Sequence, residues 1–315
     1  MPLLPHERQI HEYEKTLEKL RAQKEVWAES EIASLEKKLE DLKEKVYSSL
    51  TSWDRIQICR HPKRPHTSDY IEHVFTKFFE IHGDRYYADD AAIIMGCAYL
   101  EEQRYFVIGQ EKGKNLETRL ERNFGMPHPE GYRKALRGMR LAEKFSIPIV
   151  CLIDTPGAYP GLSAEERGQG WAIANNLFEM ADLRVPIIVL LIGEGCSGGA
   201  LGIGVGDVIA MLEHSYYSVI CPEGCASILW KDPAKRAEAA ATLKLHAEDL
   251  QEHKVIDQVI AEPMGGAHQD PHATYAKVKE FLIRSEKELS LLDTDALVEA
   301  RYQKFRSIGA FHENS

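Results

Sequence analysis

The chain has 315 residues, with 39 Lys and Arg against 49 Asp and Glu, so its formal net charge at pH 7 is −10. That balance excludes a general nucleic-acid-binding protein, which needs a basic surface to neutralise phosphates. Hydrophobic residues make up 44% of the chain, as in ordinary globular proteins. No apolar run approaches the roughly 20 residues that span a bilayer, and we find no secretion signal. We expect a soluble, cytoplasmic protein without a membrane partner.

The six cysteines lack the close spacing that usually marks a structural zinc site. The nearest two, Cys221 and Cys225, are separated by three residues, and no C-x-x-C pair occurs. Several cysteines lie in apolar or small-residue segments, where a buried thiol behaves as a small hydrophobic group. We therefore predict reduced thiols and no metal on this chain.

Residues 1–52 differ in composition from the rest of the chain, since they hold nine basic and eleven acidic residues and no glycine. Apolar residues recur at steps of three and four in both halves of this segment, which predicts two amphipathic helices. The pattern breaks between Trp27 and Ile32, where Ser30 has a side chain suited to a helix N-cap. We expect a helical arm or hairpin that either packs on its own domain or serves in oligomerisation.

The remaining chain alternates apolar segments with helical patterns, which indicates a mostly parallel sheet buried on both faces. Two of the predicted strands end in glycine-rich loops, at 154–161 and 193–199. Because ligands bind at the carboxyl ends of such strands, these loops form the candidate site. We predict strands over 91–100, 104–110, 147–153, 186–192, 208–212, 218–221 and 255–260, and helices over 129–145 and 163–180.

The second glycine-rich loop matches the G-x-G-x-x-G pattern of a dinucleotide-binding turn through Gly193, Gly195 and Gly198. Glu194 opposes this interpretation, because its carboxylate would lie where a pyrophosphate binds. The pattern also usually lies in the first βα unit of its fold, whereas here it lies late in the chain. A dinucleotide site is therefore disfavoured.

The same loop matches the G-x-S-x-G pattern of a hydrolase nucleophile elbow through Gly195, Ser197 and Gly199. A serine hydrolase also needs an acid and a histidine later in the chain. Such pairs arise easily in a chain with 13 histidines. The available pairs are Asp207 with His214 and Asp257 with His268.

A third interpretation, which we favour, treats the glycines as backbone hydrogen-bond donors. A Gly-Gly turn exposes peptide N–H groups and allows a substrate oxygen to approach them closely. Two such donors form an oxyanion hole, which lowers a barrier by several kcal/mol when negative charge develops on that oxygen. The turn at Gly198, Gly199 and Ala200 would supply one donor, and the loop at Gly157 and Ala158 the other.

Six segments of the chain resemble the alpha subunits of bacterial acetyl-CoA carboxylase carboxyltransferase. The matching blocks are long and run from the helical arm to the C-terminal part. Two positions depart from the family pattern: Cys196 replaces a glycine, which requires a negative φ, and Gln110 stands where histidine is commoner. The matching segments are 122–127, 129–136, 153–161, 164–169, 217–230 and 301–305.

The resemblance implies a crotonase-like α/β fold, a spiral of ββα turns with an N-terminal helical arm. The expected domains are an arm or hairpin over 1–52, a crotonase-like carboxyltransferase domain over 53–290 and a helical tail over 291–315. The implied reaction moves the carboxyl group of carboxybiotin, held on a biotin carboxyl carrier protein, to acetyl-CoA, giving malonyl-CoA for fatty acid biosynthesis. A zinc-carrying beta subunit completes an α2β2 enzyme, and a separate biotin carboxylase consumes the ATP.

The resemblance also assigns roles within the candidate site. Backbone donors suit this reaction, because negative charge develops on the ureido oxygen of biotin and on the thioester, and neither needs a protein base. A serine hydrolase and a non-catalytic scaffold of the carboxylase complex stay open as alternatives. The implied residues are Gly198, Gly199, Ala200, Gly157 and Ala158 for catalysis, and Gly195, Ser197 and Tyr159 for binding biotin.

A basic segment stands out in the acidic chain, since residues 111–144 hold nine Lys and Arg against five Glu. Arg133, Arg137, Arg140 and Lys144 recur at helical spacing and therefore share one face of a predicted helix. This face is either simply solvated, or it attracts the phosphates of CoA or an acidic carrier protein.

Overall fold

The computed structural model describes residues 4–22 and 29–309, which are built around one sheet of eight strands. The strand order is 1-2-3-4-5-6-8, and the seventh strand pairs with the end of the fifth. The first three strands pair antiparallel, and all later pairs are parallel. The strands are β1 (Thr76–Glu80), β2 (Ile93–Leu100), β3 (Gln103–Gln110), β4 (Ile149–Thr155), β5 (Ile187–Cys196), β6 (Val208–Leu212), β7 (Tyr216–Ser218) and β8 (Gln258–Ile260).

Helices precede the sheet, connect its strands and follow its last strand. Among the residues that the structure describes, no helix is long and apolar enough to cross a membrane. The helices are α1 (Arg8–Ala22), α2 (Glu29–Ser48), α3 (Ser52–Cys59), α4 (Thr67–Val74), α5 (Leu116–Glu121), α6 (Pro129–Lys144), α7 (Leu162–Glu166), α8 (Gln169–Asp182), α9 (Ser197–Leu201), α10 (Pro222–Trp230), α11 (Arg236–Leu243), α12 (Ala247–Glu252), α13 (Pro271–Leu289) and α14 (Thr294–Arg306).

Alternate residues of the central strands point to opposite faces of the sheet, and both faces are buried. In β4, the side chains of Ile149, Cys151 and Ile153 contribute to one core, with residues of α6 and α8. Val150 and Leu152 contribute to the other core, with residues of α4 and α13. A strand covered on both faces is apolar at successive positions, which explains its continuous apolar pattern. The predicted, mostly parallel sheet is confirmed.

The helix predicted over 163–180 is wrong as a single element, because the structure divides it into α7 and α8. Gly168 lies between the two helices and adopts a left-handed conformation with φ +81°. Ser30 is also not the N-cap of the second arm helix, since α2 already includes Glu29. Both errors concern helix ends, where a local pattern specifies the boundary poorly.

The loop predicted at 193–199 is wrong in its first half, because β5 continues to Cys196. The extension is stabilised from both sides: Thr155 of β4 pairs with Gly195, and β7 pairs with residues 194–196. The strand predicted over 218–221 is shifted towards the N-terminus and corresponds to β7, and the strand predicted over 255–260 is shortened to β8. The glycine turn therefore begins only at residue 197.

Helices α1 and α2 lie antiparallel, with an ion pair of 2.6 Å between Glu14 and Lys43 and another between Arg21 and Glu36. Towards the C-terminus, Arg301 attaches α14 to the sheet. Its guanidinium lies 2.8 Å from each carboxylate oxygen of Asp207, the residue that precedes β6. The predicted break near Trp27 lies outside the described residues. The domain boundaries at residues 52 and 290 stay a prediction.

Candidate functional site

The carboxyl ends of β4 and β5 bring the two predicted loops into direct contact. A Cβ placed on Gly199 would lie 2.4 Å from the carbonyl carbon of Gly157 and 2.5 Å from the amide nitrogen of Ala158. Gly157 has φ +144°, a conformation that residues with side chains rarely adopt. These glycines are therefore needed for two backbone segments to approach this closely.

The first turn of helix α9 contains peptide N–H groups without an acceptor in the helix. In an α-helix that begins at Ser197, the N–H groups of Ser197, Gly198 and Gly199 have no acceptor within the helix. The N–H of Ala200 is the first that can bond intrahelically, to the carbonyl of the N-cap residue, Cys196. On the facing loop, the N–H of Ala158 makes no hydrogen bond within the described part of the chain.

The three predicted biotin contacts occupy different environments. Ser197 is exposed at the start of the turn, with φ +56°. Gly195 is buried inside β5, between β4 and β7. Tyr159 is partly buried, and its ring stacks at a tilt on His128 with 4.4 Å between centroids. The structure therefore places Ser197 and Tyr159, but not Gly195, where they are accessible.

Cys196, which replaces a glycine of the family pattern, fits the backbone without strain because its φ is −115°. Its side chain is buried, and this burial raises the pKa of the thiol to about 12. At neutral pH the group is therefore a protonated thiol and a poor nucleophile. The position is occupied by a small packed side chain rather than by a reactive group.

Gln110, at the end of β3, is a site residue to which the sequence assigned no role. Its side chain is fully buried and contacts both loops. The Nε2 atom donates to the carbonyl oxygen of Gly199 at 2.7 Å, and the Oε1 atom accepts from the N–H of Asp154 at 3.2 Å. Tyr132 donates a second bond to the same carbonyl at 3.3 Å. In the sequence, the one indication that residue 110 belongs to the site was its departure from the family pattern, in which histidine is commoner.

A buried ion network lies beside the two loops. Lys112 Nζ is 2.6 Å from a carboxylate oxygen of Asp154 and 2.6 Å from one of Glu194. Glu194 also accepts from Arg60 at 2.7 Å and from the hydroxyl of Tyr216 at 2.6 Å. Burial alone would raise the pKa of Glu194, but Lys112 and Arg60 lower that pKa to about 2. Glu194 is therefore a fixed anion and not a general acid or base at neutral pH.

The structure also bears on the dinucleotide and hydrolase interpretations of the loop, and it disfavours both. A pyrophosphate would meet the ionised Glu194, which is buried in β5. For a hydrolase, Asp207 precedes β6 whereas Ser197 follows the parallel strand β5, so the two lie at opposite ends of the sheet. His214 and His268 form no hydrogen bond with Ser197 among the described residues.

The basic face of α6 is engaged within the chain. Arg133 lies 2.8 Å from Asp84, and Arg140 lies 2.6 Å from Glu179. Arg137 donates to two backbone carbonyls at 2.9 Å. These contacts make the face more than a solvated surface, and its attraction for anionic ligands stays a hypothesis.

The described residues include no group of three or more His, Cys, Asp and Glu side chains that could hold a metal ion. All six cysteines are free thiols, four of them buried.

Residues 3–309 match the model of a family described as acetyl co-enzyme A carboxylase carboxyltransferase-like. The chain belongs to this family. Acetyl-coenzyme A carboxylase carboxyl transferase alpha subunits from Chlamydia caviae and Chlamydia pneumoniae are each 58% identical to it over 318 residues, which cover 100% of this chain and 98% of each relative. The predicted family is confirmed, and with it carboxyl transfer as the class of activity.

Solved structures show the same fold at low sequence identity. Transcarboxylase 12S with hydrolysed methylmalonyl-coenzyme A has a TM-score of 0.59 and 18% identity, and the match covers 76% of this chain and 44% of that one. The beta subunit of Pseudomonas aeruginosa geranyl-CoA carboxylase has a TM-score of 0.56 and 17% identity, with 84% and 48% covered. This chain therefore spans less than half the length of these two proteins.

A third structure, a Pseudomonas malonate decarboxylase hetero-tetramer in complex with coenzyme A, has a TM-score of 0.53 and 16% identity, with 69% of this chain and 91% of that one covered. At these low identities, the similarity of all three structures to this chain is a similarity of fold. Together with the strand order and the helices described above, these structures confirm the predicted crotonase-like α/β fold class.

Proposed function

We propose that this chain is the alpha subunit of an acetyl-CoA carboxylase carboxyltransferase, which moves the carboxyl group of carboxybiotin to acetyl-CoA and forms malonyl-CoA for fatty acid biosynthesis. The observation that carries the proposal is the contact of the Gly198–Gly199 turn with the Gly157–Ala158 loop. Full-length similarity at 58% identity to carboxyl transferase alpha subunits supports the choice of substrate.

The residues around the turn fit a reaction that needs oxyanion stabilisation more than proton transfer. Carboxybiotin supplies the carboxyl group, and negative charge develops on its ureido oxygen as that group leaves. The N–H groups of Gly198, Gly199 and Ala158 lie on facing backbone segments and can donate to such an oxygen. Cys196 is buried and protonated, and Glu194 is held as an anion, so neither side chain is suited to stabilise negative charge on the ureido oxygen. That stabilisation therefore comes from the backbone donors.

The proposed active site is completed by a second protein. The relatives are named as alpha subunits, which implies a beta subunit, and we assign to it the donors for the thioester and the zinc of the family. An apolar surface flanks the turn: Ser218 pairs with Cys196, and the next residue, Val219, is 79% exposed. Ile228 and Leu229 of α10 are also exposed. Such a surface is suited to burial by a partner.

The other partners follow from the same reaction. A biotin carboxyl carrier protein would bring carboxybiotin to the turn, and a biotin carboxylase would charge it. We place the α2β2 enzyme in the cytoplasm, where acetyl-CoA is available. Gly195, Ser197 and Tyr159 stay the proposed biotin contacts, with Ser197 and Tyr159 supported by their exposure.

Reconstitution tests this proposal directly. The purified chain is mixed with its beta subunit, carboxylated carrier protein and acetyl-CoA, and malonyl-CoA is measured. We expect product only when both subunits are present. Product from the alpha chain alone, or none from the complex, would contradict the proposal. A fluorophosphonate probe added to the alpha chain tests the hydrolase alternative, since a nucleophilic serine would be labelled.

A further inference from the structure

Gln110 satisfies a backbone group that helix α9 leaves without a helical partner. In a continuing helix, the carbonyl of Gly199 would accept from the N–H of Ile203. Here the Ile203 N–H donates to Ala200 instead, at 3.3 Å, because the helix ends at Leu201. The Gly199 carbonyl therefore takes its hydrogen bonds from Gln110, at 2.7 Å, and from Tyr132, at 3.3 Å. Gln110 thus holds the short turn in place.

The other end of the same amide holds the facing loop. Its Oε1 atom accepts from the N–H of Asp154, the residue at which β4 leads into the Gly157–Ala158 loop. One rigid planar group therefore sets the distance between the two backbone segments that meet at Gly199 and Gly157. Gln110 itself has little freedom, because it is 0% exposed and the hydroxyl of Thr67 donates to its main-chain carbonyl oxygen at 2.5 Å.

We propose that Gln110 is a positioning residue for the carboxyl transfer: its amide sets the spacing of the N–H donors at Gly198 and Gly199 relative to the donor at Ala158. This inference rests on the proposed function. Gln110 contacts no substrate in this scheme and acts only through the two loops. A displacement of about 1 Å between such donors reduces catalysis by about 100-fold while substrate binding is retained.

The chemistry of the amide makes the inference testable, because both of its ends are used. A carboxylate in its place has no proton to donate, so it would repel the Gly199 carbonyl. A protonated carboxyl group can donate to Gly199 and accept from Asp154, and would restore both bonds. Burial favours this protonated form and raises the pKa of such a group. The titratable groups next to the two ends of the amide are Tyr132, which donates to the same Gly199 carbonyl, and the side chain of Asp154 with its partners Lys112 and His66.

The experiment compares Gln110→Glu with Gln103→Glu, an identical change at the exposed start of the same strand. Both alpha variants are reconstituted with the beta subunit, and kcat and KM for acetyl-CoA are measured from about pH 8.5 to about pH 6. For Gln110→Glu we expect kcat to fall by about 10- to 100-fold at the higher pH, with KM nearly unchanged. Relative to the wild-type protein, kcat should recover as the pH falls. Gln103→Glu should follow the wild-type profile.

A second variant separates the proposed effect from a general loss of folding, because it weakens the same contact without adding a charge. Tyr132→Phe removes the weaker donor to Gly199 without adding charge, and should lower kcat less than Gln110→Glu, with no recovery at low pH. Unchanged kcat in Gln110→Glu, or a loss that is equal at every pH, would overturn the inference. A wild-type complex that forms no malonyl-CoA in the same assay would instead overturn the proposed function, so the two failures are distinguishable.

Discussion

Gly199 and Gly157 are in van der Waals contact across two loops, so that a Cβ on Gly199 would lie 2.4 Å from the carbonyl carbon of Gly157. The two residues follow different strands, β5 and β4, and meet only because these strands are adjacent and parallel. Their contact brings the first turn of α9 next to the amide nitrogen of Ala158. The candidate oxyanion site is therefore a property of paired strand ends rather than of one motif.

The first prediction concerns this contact. Gly199→Ala should separate the two loops and lower kcat by at least about 100-fold, because the donors no longer converge on one oxygen. Gly170→Ala is the matched control, since a Cβ at Gly170 in α8 meets nothing within 4 Å. Malonyl-CoA formation and size-exclusion chromatography of the reconstituted complex check activity and assembly. A fully active Gly199→Ala enzyme would remove Gly199 from the proposed site.

The second prediction concerns the buried network around Lys112. The carboxyl groups of Asp154 and Glu194 have pKa values below their ordinary range, despite burial, because Lys112 lies between them; the pKa of Glu194 is about 2 against an ordinary 4.5. Since these pKa values are lower in the folded state, the network stabilises the fold above about pH 4.5. That stabilisation is lost as the pH falls towards about 2.

Lys112→Met should therefore lower the free energy of unfolding by about 3–5 kcal/mol at neutral pH, because two buried carboxylates lose a shared cation. The deficit should shrink as the pH falls, because removal of Lys112 raises the pKa values of the two carboxyl groups and the variant therefore protonates them sooner than the wild-type protein. Lys114→Met is the control, since Lys114 pairs with Asp69 at an exposed position and should cost at most about 1 kcal/mol. Urea titrations at several pH values measure both. A pH-independent deficit would contradict the ion-network explanation.

The third prediction concerns Arg301 of α14, which is 1% exposed. Its guanidinium pairs with both oxygens of Asp207 and donates to three carbonyls that follow α8 or belong to its last turn, those of Met180, Leu183 and Val185. Arg301→Ala should cost about 3–5 kcal/mol of unfolding free energy, because a buried carboxylate is left unpaired. Chemical denaturation measures this value.

Arg184 provides the control for Arg301, because it also attaches α14 but at the surface, 2.6 Å from Asp295. Arg184→Ala should change the unfolding free energy by at most about 1 kcal/mol, since exposed ion pairs contribute little. Equal losses in the two variants would show that burial does not decide the strength of the attachment.

The fourth prediction concerns Ser197, the residue that a hydrolase would use as its nucleophile. Ser197→Gly removes the hydroxyl and is compatible with the backbone, because φ at this position is +56°. If only the backbone acts, kcat for malonyl-CoA formation should stay within about threefold of the wild-type value. Labelling of the wild-type chain by a fluorophosphonate, combined with no labelling of the variant, would favour the hydrolase instead.

Much of the fold is predictable from local pattern. The continuous apolar segments of β4 and β5 predict buried parallel strands, because a strand covered on both faces needs apolar side chains at successive positions. The blocks around residues 122–136, 153–169 and 217–230 identify the family, which residues 3–309 match. The glycine pairs also lie in the two loops that the structure brings into contact.

The length of β5 and the gap between α7 and α8 were not predictable in this way. Residues 193–196 include two glycines, and they form a strand only because Thr155 and β7 pair with them. Gly168 interrupts a helical pattern by its φ value, although Arg167 and Gln169 on either side of it are good helix formers. In both cases backbone conformation and strand pairing override local propensity.

The sequence by itself determined the class of protein, the strands that form the core and the two loops that carry the proposed donors. Only the tertiary structure decided that Gln110 bonds to Gly199, 89 residues away, and that Lys112 bonds to Glu194, 82 residues away. It also decided that α9 begins at Ser197, so that the N–H groups of Gly198 and Gly199 have no acceptor within the helix. Local patterns encode burial and helix or strand periodicity, but a hydrogen bond between distant residues exists only after the strands have paired.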